Sequence, residues 1–237
     1  MQFSAPIYAL KRKAKLLARQ RGIALHEALN DIASGEGFQS WSHLAASSAK
    51  ESPGQKIMPL LDPGELVLIG ARPGQGKTLL GLELAATAAR LGRKGYFFTL
   101  DYNARDIADH LSHLGMDPGS LHTSLMIDMS DETSASHIIA RLMGETDPAL
   151  IVIDYLQLLD QKRTHPSLND QIAALESYVR STGAICAVIS QIDRAFDLSG
   201  RSMPGISDVR LPNPLDLSMF SKRFFLHEGK VQLDHAA

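Results

Sequence analysis

The chain has 237 residues, 44% hydrophobic and 21% charged, with a formal net charge of −2. That is room for one large α/β domain and a small appendage, in the composition of an ordinary soluble globular protein. No apolar run approaches the roughly 20 residues that cross a bilayer, and the N-terminus is basic without an apolar signal core. No membrane partner and a cytoplasmic location are therefore expected.

Charge is unevenly distributed. Up to Arg21 there is no acidic residue, while Lys11, Arg12, Lys13, Lys15, Arg19 and Arg21 all fall there. Such a segment is either a solvated helix face or a surface that touches phosphate backbones. Apolar spacing predicts helices over Ile7–Gln20, Leu25–Ser34 and Trp41–Ser47, the last with Ser40 as its N-cap. Phe38, Trp41 and Leu44 are placed to join them into a small basic helical unit over residues 1–50. Ser, Lys, Glu, Pro and Gly then mark a linker over 51–59.

From Leu60 onward apolar runs alternate with helical patterns. The strands are expected at Leu66–Gly70, Tyr96–Leu100, Ser124–Asp128, Leu150–Asp154 and Ile185–Ser190. The helices are expected at Lys77–Leu91, Ala104–Leu114, Ser134–Met143 and Leu168–Ser181. Near-continuous apolar strands alternating with helices predict βαβ units and a mostly parallel sheet covered on both faces, filling residues 60–237. Cys186, the single cysteine, lies in one of those runs and is expected to be a buried, inert thiol. After Gln191 a Gly/Pro-rich loop runs to Pro214. Met219–Leu226 and Val231–Leu233 then predict a C-terminal β-hairpin turning at Glu228-Gly229.

The most informative stretch is Ala71-Arg72-Pro73-Gly74-Gln75-Gly76-Lys77-Thr78, between the first strand and a long helix. A strand, a glycine-rich turn ending in Gly-Lys-Thr and a helix make a phosphate cradle of the P-loop kind, with Ala71 where the general pattern has Gly. Backbone N–H groups from Ala71 to Leu79 face the phosphates. Lys77 reaches the outer phosphate oxygens and the Thr78 hydroxyl is a ligand for Mg²⁺. The predicted ligand is a nucleoside triphosphate with Mg²⁺.

Three strand ends supply further chemistry. Asp154 closes an apolar strand and is the expected anchor of the metal's water shell. Asp101 either positions the attacking water or caps the next helix, a task for which Asn103 competes. Gln191 is placed to sense the γ-phosphate and move the following loop. That loop carries Arg194, Arg201 and Arg210, which suit planar contacts to DNA phosphates or a neighbour's nucleotide. Lys162 and Arg163 form a basic loop after Asp154, suited to following a nucleic-acid backbone or simply to a solvated turn. His110 and His113 sit at i and i+3 without a third ligand, so histidine metal binding is not expected.

Taken together, Gly70 to Thr78, Ile153-Asp154-Tyr155-Leu156-Gln157-Leu158 and Ser190-Gln191-Ile192-Asp193-Arg194 resemble the ATPase domain of DnaB-type replicative helicases. The resemblance covers roughly Leu60 to the C-terminus. It implies a RecA-like core, ring or filament assembly as a homo-oligomer, and ATP hydrolysis at subunit interfaces coupled to single-stranded DNA. Lys162, Arg163, Arg194 and Arg201 become DNA-binding candidates, and Arg210, Lys222 and Arg223 candidates for fingers acting across the interface. The family has a catalytic glutamate where this chain has Asp101, and the usual helicase N-terminal domain is replaced by the short helical unit. Two function classes follow: a DNA-coupled ATPase, or a non-motor ATP-binding switch or loader with weak hydrolysis. A small-molecule kinase lacks a recognisable acceptor lid and is opposed by the Asp-Tyr-Leu-Gln-Leu run.

Overall fold

The computed structural model describes residues 4, 7–48, 52–131, 133–160, 165–211 and 213–235. The chain divides into two compact units, Met1–Ser52 and Pro53–Ala237. Among the described residues no helix is long and apolar enough to cross a membrane.

The first unit holds three helices, α1 (Ile7–Arg21), α2 (Leu25–Gly35) and α3 (Trp41–Ser48). Leu10, Ala33, Phe38 and Leu44 form its core, with Ile32 and the half-buried Trp41 packed against it. Ser40 caps α3 by accepting from the His43 amide at 3.2 Å, and Asn30 Oδ1 accepts from the Trp41 amide at 3.0 Å. Helix α1 has no acid in its first turn. It stacks like charges at i, i+3 and i+4 (Arg12–Lys15, Lys11–Lys15, Lys15–Arg19), each costing about 0.2–0.5 kcal/mol of helix stability.

The second unit is a seven-stranded sheet in the order β3-β2-β4-β5-β1-β6-β7. Its strands are β1 (Leu66–Ala71), β2 (Gly95–Thr99), β3 (Leu125–Asp128), β4 (Leu150–Asp154), β5 (Ile185–Gln191), β6 (Lys222–His227) and β7 (Lys230–His235). All neighbours pair in parallel except β6 with β7, the hairpin expected from the sequence. The first arm of that hairpin runs parallel to β1, so the hairpin extends the main sheet.

Successive strand residues serve opposite layers. Val67, Ile69, Phe97, Val152 and Ile189 face a layer containing Leu80 and Leu84 of α5 (Lys77–Arg90). Leu66, Leu68, Phe98, Ile153 and Val188 face the other, with Ile138 of α8 (Ala135–Arg141) and Leu175 and Val179 of α9 (Leu168–Thr182). A strand covered on both faces must be apolar at every position, which is why these strands carry no alternation. Each fully buried Leu, Ile or Phe contributes about 1.5–3 kcal/mol. Helices α6 (Ala104–His113) and α7 (Pro118–Leu121) complete the first layer.

The linker expected over 51–59 is replaced from Pro53 by a helix, α4 (Pro53–Ile57), and a 3₁₀ turn, Met58–Leu60. Ile57 is fully buried, and the Gly54 amide donates to Glu83 of α5 at 3.2 Å. The polar composition of this stretch hides a helix that covers the outer side of α5, which is accordingly buried almost all round.

Candidate functional site

Parallel strands align the carboxyl ends of β1, β2, β4 and β5. Ala71 pairs with Gln191, Thr99 with Asp154, and Asp154 with Ile189. That register brings the strand-end residues to one edge, beside the turn from β1 into α5. Gly74 and Gly76 both take the left-handed conformation, with φ of 80° and 82°, which a residue with a Cβ would adopt only under strain. Gly76 is the N-cap of α5, so the helix opens with its amides toward the loop, an arrangement suited to an anion.

Lys77 projects between two carboxylates. Its Nζ lies 4.0 Å from Asp101 Oδ2 and 4.0 Å from Asp154 Oδ1, and 3.5 Å from the Thr78 hydroxyl. It also stands 5.6 Å from the centre of the Tyr155 ring. Asp154 is completely buried, and neither of its carboxylate oxygens has a hydrogen-bond partner among the described residues. Burial pushes its pKa up to about 6, against the opposing pull of the Lys77 ammonium and the nearby Thr78 hydroxyl. An unpartnered buried carboxylate beside a threonine hydroxyl is an oxygen-donor pair that a hard divalent cation fits, so the residues present suit Mg²⁺.

The two readings of Asp101 separate here. Asn103 caps α6, accepting from the amides of Arg105 and Asp106, while the Asp106 side chain accepts from the Asn103 amide. Asp101 is left at the sheet edge facing Lys77, its amide donating to Thr99 Oγ1 at 3.1 Å and its side chain 45% exposed.

Contacts from distant segments hold the loop. Arg72 grips Asp197 with Nε and Nη2 at 2.7–3.2 Å and donates through Nη1 to the Ile192 carbonyl at 3.0 Å. The Arg72 guanidinium keeps the Asp197 carboxyl below the usual carboxylate range. The loop residue Gln75 accepts from the Glu228 amide, at the tip of the β6–β7 hairpin, at 2.9 Å. Nothing in the sequence signals these pairings, because 125 residues separate Arg72 from Asp197 and 153 separate Gln75 from Glu228.

After β5 the chain folds back through a bridge between Ile192 and Val209, and the Arg210 amide donates to the Gln191 carbonyl at 2.8 Å. Arg194 and Arg210 are exposed. Arg201 is paired with Asp208 and stacked over the Phe196 ring, so its guanidinium is occupied within its own loop. Lys222 sits at the other end of the sheet, paired in register with Val67. Its ammonium contacts Asp62 at 2.6 Å and Glu65 at 2.9 Å, and these outweigh burial and hold its pKa above the lysine range. Arg223 is buried, with Nη1 3.7 Å from Asp234. Lys162 and Arg163 lie outside the described residues. The His110 ring lies tilted against Tyr102 at 4.8 Å, and His113 Nδ1 lies 2.5 Å from the Asp109 carbonyl.

The chain is 26% identical over 144 residues to the DNA repair protein RadA of Halalkalibacterium halodurans, covering 58% of this chain and 30% of that protein. It is 27% identical over 183 residues to the replicative DNA helicase DnaB of Mycoplasma genitalium, covering 62% of this chain and 39% of the helicase. The chain thus spans about a third of the length of these curated relatives. A solved DnaB-like replicative helicase, in a structure describing its interactions with primase, superposes with a TM-score of 0.62 at 18% identity, over 97% of this chain and 71% of that one. That likeness carries the fold, a RecA-like P-loop core. Residues 61–209, more than half of the chain, match the family model described as "ATPase: KaiC", and the chain belongs to that ATPase family.

Proposed function

We propose that the chain binds ATP with Mg²⁺ and hydrolyses it, coupling turnover to single-stranded DNA in the manner of a DnaB-like helicase domain. The observation that carries this reading is Asp154, a buried carboxylate without a hydrogen-bond partner beside Lys77 and Thr78 at the mouth of the P-loop. Leaving such a group unsatisfied is costly, and sites that do so are built for a ligand.

The amides from Ala71 to Leu79 cradle the phosphates, and Lys77 turns from its two carboxylates to the outer phosphate oxygens. Thr78 and Asp154 hold the cation, which when bound neutralises phosphate charge. Asp101 orients the attacking water, and Gln191 reports the γ-phosphate to the loop bearing Arg194 and Arg201. That loop, with Lys162 and Arg163, is the proposed contact with DNA, Arg201 joining only after leaving Asp208. In a homo-oligomer, ring or filament, the exposed Arg210 completes a neighbour's site. Lys222 and Arg223 serve as fingers only after leaving Asp62, Glu65 and Asp234.

The test is the ATPase rate of the purified protein with and without single-stranded DNA, with Lys77→Ala as the control. DNA-stimulated turnover that disappears in the variant is expected. Equal turnover in the variant refutes the site. Asp101 favours one second reading: its carboxylate is one methylene shorter than a glutamate, and misplacement on the order of 1 Å can cost about 10²-fold in rate. A flat, near-zero rate with tight ATP binding identifies the non-motor switch or loader.

A further inference from the structure

The N-terminal unit carries a cationic surface that the nucleotide site does not use. On α1, Leu10 and Ala14 are buried in the core of the unit, which turns the opposite side of the helix outward. Arg12, Lys15 and Arg19 lie along that outward side and are exposed. At a helical rise of about 1.5 Å per residue they form a straight row on the order of 10 Å long. Two acidic groups of the unit are engaged elsewhere: Arg21 takes Asp31 at 3.4 Å, and Ser4 donates to Glu36. The repulsion within this row opposes folding of the helix, and an anionic partner relieves it.

We infer that the exposed row Arg12, Lys15 and Arg19 on α1 binds the phosphate backbone of single-stranded DNA, making the N-terminal unit a DNA-binding surface separate from the loops of the ATPase unit. Charge complementarity and linear spacing select a polyanion. An anionic bilayer is the poorer match, because a membrane-surface helix must present an apolar face. On α1 Leu16, at 50%, is the exposed large apolar side chain among those described. The inference stands independently of the nucleotide site.

The experiment titrates the full chain against a fluorescein-labelled oligothymidylate in a potassium chloride series, without nucleotide. The comparison is with the triple variant Arg12→Gln, Lys15→Gln, Arg19→Gln. Three lost phosphate contacts should flatten the slope of log affinity against log salt by about 2, at about 0.7 for each contact on a single strand. The charge-conserving variant Arg12→Lys, Arg19→Lys should keep the wild-type slope, and ATPase activity without DNA should be the same in all three proteins. Circular dichroism checks that the helices persist. An unchanged slope in the folded triple variant overturns the inference, as does loss of binding only to phosphatidylglycerol vesicles. Absence of ATP turnover leaves the slope comparison intact, so failure of the nucleotide site and failure of this surface read out separately.

Discussion

Replacing Asp154 by asparagine should stabilise the protein while destroying its activity. In the wild type the Asp154 carboxyl is buried and its pKa is pushed from 3.8 to about 6. A folded-state pKa raised above the unfolded value means that the charged carboxylate is disfavoured by folding. The penalty is absent below pH 3.8, grows between there and pH 6, and is complete above pH 6. At about 1.4 kcal/mol for each pH unit between the two values, its full size is about 3 kcal/mol, with about half present by pH 5. Asparagine has nearly the same shape and no charge, so Asp154→Asn escapes the penalty. For a unit the size of Pro53–Ala237, where 1 kcal/mol shifts Tm by about 2–4 °C, the variant should melt about 6–12 °C higher at pH 8. Differential scanning calorimetry from pH 5 to pH 8, without metal or nucleotide, gives the measurement. The gap in Tm between variant and wild type should widen with pH, and adding Mg²⁺ and ATP should raise the wild type and not the variant. A gap that is zero or independent of pH would show that Asp154 is not the strained group described here.

Three further outcomes follow from particular contacts. Arg72→Lys keeps the charge and loses the two-pronged grip on Asp197, so turnover should fall several-fold with the fold unchanged in circular dichroism; unaltered kcat and KM would remove any role for that grip in holding the loop after Gln191. A Cβ at Gly95 would lie 2.1 Å from the Ala85 carbonyl oxygen of α5. Gly95→Ala should therefore destabilise the second unit by about 1–3 kcal/mol in urea unfolding, and a neutral result would contradict the close approach of β2 to α5. Cys186 is fully buried with its thiol pushed up to about 12, so a maleimide at pH 8 should label it only after denaturant is added. Rapid labelling of the native protein would refute that burial.

The sequence by itself determined the local chemistry and the class of fold. Runs such as Leu150-Ile151-Val152-Ile153-Asp154 are apolar at every position because both faces of their strand are covered, and that pattern is visible without coordinates. The Gly-Gln-Gly-Lys-Thr turn is equally legible, since its glycines answer to backbone angles set within a few residues. Composition misled where a helix was short: Pro53–Ile57 forms only because Gly54 and Ile57 fit against α5, and no local signal encodes that surface. The capping box of Asn103 with Asp106 lies within three residues and is local, whereas tertiary structure alone decided that Arg201 and Lys222 are consumed by ion pairs and that Arg72 is held by Asp197. Propensity and periodicity act over one or two turns of chain. Ion pairs and burial are fixed by which strand ends the sheet order brings together, and that order belongs to the packed layers.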